Sequence, residues 1–224
     1  MKNSPYGQKS KTQLLDITSN IFDYFKNRDV KAVVMACNTT SANVYEEYKN
    51  SFNYKIYPII QTCAKVLSDL PIKNLGVFAT SATISSGAYK REINKHNSNI
   101  EVFEMSCPGW VQIVEENKQD DETSIAKVKG NLDKMLENNP EKIILGCTHY
   151  PFLLDVLSKF APKEMFIDPS EYFANYIKSD LEKQNLLNDI GGNEEILVSA
   201  NPNEFKIAAQ MFYKLQDMPS VIEF

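Results

Sequence analysis

Lys31-Ala-Val-Val-Met35 runs into Ala36-Cys37-Asn38-Thr39, and Lys142-Ile-Ile-Leu145 runs into Gly146-Cys147-Thr148-His149. In both places a short apolar run gives way to a small residue, a cysteine and hydrogen-bonding side chains. Such a run reads as a strand buried on both faces, the kind found in parallel sheets. Parallel strands need crossover helices between them, and the surrounding sequence supplies these. Leu14, Leu15, Ile17, Ile21, Phe22 and Phe25 recur at helical spacing over 12–27, and 41–49 reads as a second helix. Further strands are expected at 56–60, 74–79, 100–105 and 165–168. Helices are expected from about 85, over 111–116, 124–138 and 151–160, and from about 170 past 181. The segment 188–192, with Gly191 and Gly192, reads as a loop. This alternation predicts an α/β fold with mostly parallel sheets flanked by helices.

The chain has 224 residues, 43% hydrophobic and 24% charged, with a formal net charge of -5. That is the balance of a soluble globular protein with a sizeable core. No basic stripe offers a phosphate backbone a footing, so nucleic acid is not an expected partner. Apolar runs fall far short of the ~20 residues that span a bilayer, so no membrane association is expected. The segment after Met1 carries no apolar signal region, and the expected compartment is the cytoplasm. The cysteines (Cys37, Cys63, Cys107 and Cys147) lack the paired spacing of a metal or redox motif, so free thiols and no metal site are expected.

Ligands of open α/β sheets bind beyond the carboxyl ends of the strands, where Cys37 and Cys147 fall. A thiol kept for packing belongs inside a strand, because polar residues directly after it are awkward to bury. Cys63 and Cys107 lack such a setting and read as core. A third strand mouth, Gly76-Val-Phe-Ala79, leads into Thr80-Ser-Ala-Thr83-Ile-Ser-Ser86-Gly87. Its hydroxyls and free backbone N–H groups suit a carboxylate, although plain N-capping explains Thr or Ser there equally well. Two cysteines on different strands suit a reaction that takes a proton from one face of a carbon and returns one to the other. A thiol of pKa ~8.5 serves as thiolate on one side and as acid on the other. His149, two residues past Cys147, is placed to assist that thiol or to hold a carboxylate; His96 reads as surface.

These residues resemble a known family. Ala36-Cys37-Asn38-Thr39-Thr40-Ser41-Ala42 and Leu145-Gly146-Cys147-Thr148-His149-Tyr150-Pro151 look like the two signature motifs of glutamate racemases. Thr80 to Thr83, with Ser86 and Tyr89, resembles that family's Thr-rich substrate loop. Cys107-Pro108 through Val114-Glu115 and Pro5-Tyr6-Gly7 are similar to further motifs in the same order. The resemblance implies interconversion of L- and D-glutamate without pyridoxal phosphate, metal or other cofactor, supplying D-glutamate for peptidoglycan. It implies that Cys37 and Cys147 are opposed catalytic bases, Cys37 working on the D-enantiomer and Cys147 on the L-enantiomer. Tyr6, Gly7, Asn38, Thr39, Thr148 and His149 would contact substrate. Thr80, Thr83 and Glu115 would support the site, Glu115 acting with His149 on Cys147. The implied fold is two similar α/β domains, about 1–61 plus 173–224 and 62–172, with the active site in the cleft; a homodimer is compatible with it.

The sequence departs from the family in lacking an N-terminal strand ending in Asp-Ser-Gly, with the helix and strand that follow it. The expectation is an incomplete first domain, with a gap or bare sheet edge beside the strand that carries Cys37. The reading leaves open a start upstream of Met1 or a degenerate relative. Rival readings are a racemase of aspartate or another acidic amino acid, a ligand-binding relative without turnover, and a thiol redox protein. The cysteine spacing speaks against the last.

Overall fold

The computed structural model describes residues 3–188, 190–210 and 212–223. A 3-10 turn at Tyr6–Gln8 leads to α1 (Lys11–Lys26), which starts at a reciprocal capping box between Ser10 and Gln13. β1 (Ala32–Met35), α2 (Asn38–Tyr48), β2 (Lys55–Pro58) and α3 (Ile59–Leu67) follow. Then come β3 (Asn74–Ala79), α4 (Ser81–Ser85), α5 (Ala88–His96), β4 (Glu101–Ser106), α6 (Trp110–Glu115), α7 (Glu122–Leu136) and β5 (Lys142–Gly146). The chain continues through α8 (Leu154–Leu157), β6 (Phe166–Ile167), α9 (Pro169–Lys183), β7 (Leu197–Val198), α10 (Pro202–Ala209) and β8 (Ser220–Val221).

Several elements differ from the sequence expectation for local reasons. The strand expected over 56–60 ends at Pro58, because Ile59, Ile60, Cys63, Ala64 and Leu67 bury one face of a helix instead. Cys63 therefore lies within α3 and is fully buried, as its core reading expects. The single helix expected from about Ser85 is two, parted at Gly87, whose φ of +59° is left-handed and costs a glycine little. The helix expected over 151–160 is a 3-10 turn at Tyr150–Leu153 and the short α8. Tyr150 anchors that tight turn, its hydroxyl donating to the Cys107 carbonyl at 3.2 Å. In the segment 188–192, Asp189 lies outside the described residues and its described neighbours are irregular.

The central sheet has the order β4-β3-β5-β6, all parallel. Alternation sends Leu75, Val77, Ala79 and Ile144 to one face, packed against residues of α3, α5 and α9. Phe78, Ile143 and Leu145 face the other way, against α6, α7 and α8. Both faces are covered, as all-apolar parallel strands require. β1 and β2 form a smaller parallel pair, packed with Leu14 and Phe22 of α1 and Val44 of α2. β7 and β8 form a third parallel pair. Among the described residues β1 pairs with β2 alone, and a groove lined by Phe22, Phe25, Val33 and Val34 runs beside it. Val33 and Met35 point into the small core, whereas Val34 is 49% exposed.

This contrast is testable by urea denaturation. Leu75→Ala removes a fully buried side chain from the central sheet and should cost about 2–5 kcal/mol. Val34→Thr, at the exposed face of β1, should shift stability by less than about 0.5 kcal/mol.

Candidate active site

Strand register builds the site. Ala79 pairs with Gly146 across β3 and β5, so the next residues, Thr80 and Cys147, leave the sheet side by side. On the small sheet, Met35 pairs with Pro58, and two residues on Cys37 stands at the N-cap of α2. Its carbonyl accepts from Ser41 N at 2.9 Å and from Thr40 Oγ1 at 3.0 Å, so its backbone is committed to the helix start. Its side chain makes no capping bond and is left for the cleft.

One cavity of about 250 Å³ is lined by Cys37, Asn38 and Thr39 from the first mouth and by Cys147, Thr148 and His149 from the second. Tyr6, Gly7, Thr80 and Glu115 complete the set of sequence-nominated residues on its wall. Gly7 is required by proximity: a Cβ there would lie 2.7 Å from Thr80 Cβ, so only glycine lets the 3-10 turn abut that strand mouth. Thr83 is the exception, being fully buried and off the cavity wall. It sits beneath the wall in a ring of hydroxyls, with Thr39 Oγ1 to Thr80 Oγ1 at 2.9 Å and Thr80 Oγ1 to Thr83 Oγ1 at 2.9 Å. Thr80 also N-caps α4, so the capping and cleft roles coincide in one side chain. Asn43 reinforces the junction, donating from Nδ2 to the carbonyls of Thr39 and Ala82.

The lining residues that the sequence did not nominate are Asn3, Ser4, Pro5, Val111 and Ser199. Ser199 directly follows β7, the same strand-mouth signal in a strand too short to stand out. Val111 sits in α6, four residues before Glu115, and helical spacing from Glu115 would have found it.

The thiols differ in environment. All four cysteines are free, and Cys37 is the one that is not buried. Burial pushes the Cys147 thiol up to about 12, while backbone N–H groups of His149 and Tyr150 pull it back down. Cys147 Sγ lies 3.7 Å from His149 Nδ1, and His149 Nε2 lies 3.3 Å from Glu115 Oε1. A thiol, an imidazole and a carboxylate therefore stand in series, and the histidine is able to pass a proton in either direction. Burial also raises the Tyr6 hydroxyl, helped by the nearby Cys37. Among the described residues no group of three or more His, Cys, Asp or Glu converges as metal ligands, and no helix is long and apolar enough to cross a membrane.

A parallel α/β scaffold with a thiol at each of two strand mouths, both on one small cavity, has the layout of an acid/base isomerase. The chain belongs to the Asp/Glu/hydantoin racemase family, whose model matches residues 3–177. It is 31% identical over 209 residues to a glutamate racemase from Carboxydothermus hydrogenoformans, covering 93% of this chain and 78% of that one. A glutamate racemase from Persephonella marina is 34% identical over 217 residues, covering 96% and 78%. The solved glutamate racemase from Francisella tularensis in complex with D-glutamate superposes with a TM-score of 0.89 at 30% identity, over 99% of this chain and 83% of that one.

Thiol reactivity checks the geometry. Iodoacetamide at pH 8 should label Cys37 first, because it is the accessible thiol. Cys147, with its pKa near 12, is thiolate to only about one part in ten thousand at that pH, so its labelling should lag at least tenfold. Cys63 and Cys107, buried and pushed upward by that burial, should stay unlabelled in the folded protein. Peptide mass spectrometry reads the order directly.

Proposed function

We propose that this protein interconverts L- and D-glutamate by proton transfer between Cys37 and Cys147. The observation that carries the reading is the convergence of both thiols on one cavity, together with Asn38, Thr39, Thr148 and His149. Glutamate is favoured as substrate because relatives about 30% identical over most of their length are glutamate racemases.

In this reading the Cys37 thiolate removes the α-proton of D-glutamate. The Cys147 thiol, held protonated by burial, delivers its own proton to the opposite face and yields L-glutamate. That turnover leaves Cys37 as the thiol and Cys147 as the thiolate. In the reverse direction Cys147 therefore removes the α-proton of L-glutamate, and Cys37 delivers its proton to the opposite face. His149 Nδ1 stands beside the Cys147 sulfur, with Glu115 beyond Nε2, to assist that thiol. The α-carboxylate rests against the N-terminus of α2, where Asn38 and Thr39 present backbone N–H groups and the first turn carries no acidic residue of its own. Tyr6, Gly7 and Thr148 complete the substrate contacts, and Thr80 and Thr83 hold Thr39 in place. No cofactor takes part. The D-glutamate formed supplies peptidoglycan, and the cytoplasm is the compartment where free thiols persist. The division that goes with this reading is 1–61 with 173–224 against 62–172. Its crossings run through α3 and α9, which would then flex as the cleft opens.

Replacing each cysteine by serine tests the mechanism, since a hydroxyl is far less acidic than a thiol and nearly the same shape. Cys37→Ser and Cys147→Ser should each lower racemisation by about 10²–10⁴-fold, in both directions, because every turnover uses both groups. The assay follows the optical change from each glutamate enantiomer and α-proton exchange in deuterium oxide, with no cofactor added. Aspartate is run in parallel. Full activity in either variant, dependence on pyridoxal phosphate, or a preference for aspartate would overturn the reading.

A further inference from the structure

Asn38 is almost wholly buried, at 3% exposure, yet it lines the cavity. Its Oδ1 accepts a hydrogen bond from the Tyr89 hydroxyl at 2.7 Å. Its Nδ2 is buried and has no hydrogen-bond partner among the described residues. A buried donor left unpaired costs about 1–3 kcal/mol, so an amide so placed needs a reason not to turn over. Tyr89 provides one. Its ring and hydroxyl are fully buried, and the phenolic proton must go to an acceptor that water cannot supply. Asn38 Oδ1 is that acceptor. Turning the amide over would take that acceptor away and strand the phenol's proton.

The ring is fixed as firmly as the hydroxyl. Tyr89 comes from α5 and packs against the backbone just before Cys147: a Cβ at Gly146 would meet Tyr89 Cε2 at 2.9 Å and the Phe78 carbonyl at 2.9 Å. Glycine at 146 is thus what admits the ring between the mouth of β5 and the start of α2. Asn38 is the immediate neighbour of Cys37, so one side chain spans from the strand that carries one thiol to the residue beside the other.

We propose that Tyr89 is a positioning residue: its hydroxyl locks the Asn38 carboxamide with the NH₂ reserved for a carboxylate oxygen of the substrate. The proposal rests on the function above and adds to it the group that sets the amide's orientation. Tyr89 touches no substrate and acts only through Asn38.

Tyr89→Phe keeps the ring and its packing and removes the hydroxyl alone. The full chain is tested as wild type, Tyr89→Phe, Asn38→Ala and the double variant. Binding of D-glutamate is measured by calorimetry, and kcat and KM by the racemisation assay. Tyr89→Phe should raise Kd and KM about tenfold and change kcat less than about threefold, the pattern of lost binding common to ground and transition states. In the double variant the loss should equal that of Asn38→Ala alone, because the hydroxyl has nothing left to orient. An unchanged Kd in Tyr89→Phe, or losses that multiply in the double variant, would overturn the proposal. Wild-type binding of D-glutamate without turnover would sink the proposed racemisation while leaving the Kd comparison to judge Tyr89. No binding by the wild type would overturn both.

Discussion

Everything at the site depends on strand polarity. In a parallel sheet every strand ends on the same side, so whatever follows each strand is delivered to a common edge. The pairing of Ala79 with Gly146 then decides that Thr80 and Cys147 emerge at one level. A register shift of a single residue between β3 and β5 would turn the apolar set of β5 to the wrong face and withdraw the thiol from the cleft. The two cores on either face of the sheet prevent such a shift, since Ile143 and Leu145 belong to one core and Ile144 to the other. The geometry of the cavity wall is in this sense a by-product of apolar packing.

The electrostatics follow from the same placement. Cys147 leaves a fully covered strand and is buried, and burial keeps its thiol protonated. Cys37 leaves a strand in the small, less enclosed sheet and stays partly open to solvent. Two chemically identical side chains thereby stand in different surroundings, one enclosed and one partly open. The His149–Glu115 pair stands on the side of the more enclosed thiol, where proton release is hardest.

Much of this was legible in the sequence because apolar periodicity and strand-end chemistry are local signals. The central strands, the long helices α1 and α7 and the cavity-lining set around Cys37 and Cys147 follow from such signals. The parts that were not legible are settled by tertiary contacts. The turn of Pro58 into α3 depends on which face of Ile59 to Leu67 finds a core. The collapse of 150–157 into a 3-10 turn and a single helical turn depends on Tyr150 reaching the distant Cys107 carbonyl. Ser199 was missed because β7 is two residues long and its partner β8 follows some twenty residues later. Thr83 was placed with the site by motif but serves one layer down, where hydroxyl contacts that no spacing encodes hold it.

Among the described residues the cavity wall contains neither lysine nor arginine; its polar surface is amide, hydroxyl, thiol, a single imidazole and the Glu115 carboxylate. An acidic ligand held this way is gripped by short, directional hydrogen bonds and not by long-range attraction. Affinity of that kind is nearly indifferent to ionic strength, because there is little unscreened Coulomb energy for salt to remove. It also lacks the field that would draw anions in from a distance, so encounter proceeds at the ordinary, unsteered rate. What the site gives up in capture it recovers in release. A pocket that must part with either mirror image of the same molecule gains nothing from holding one of them by a fixed charge.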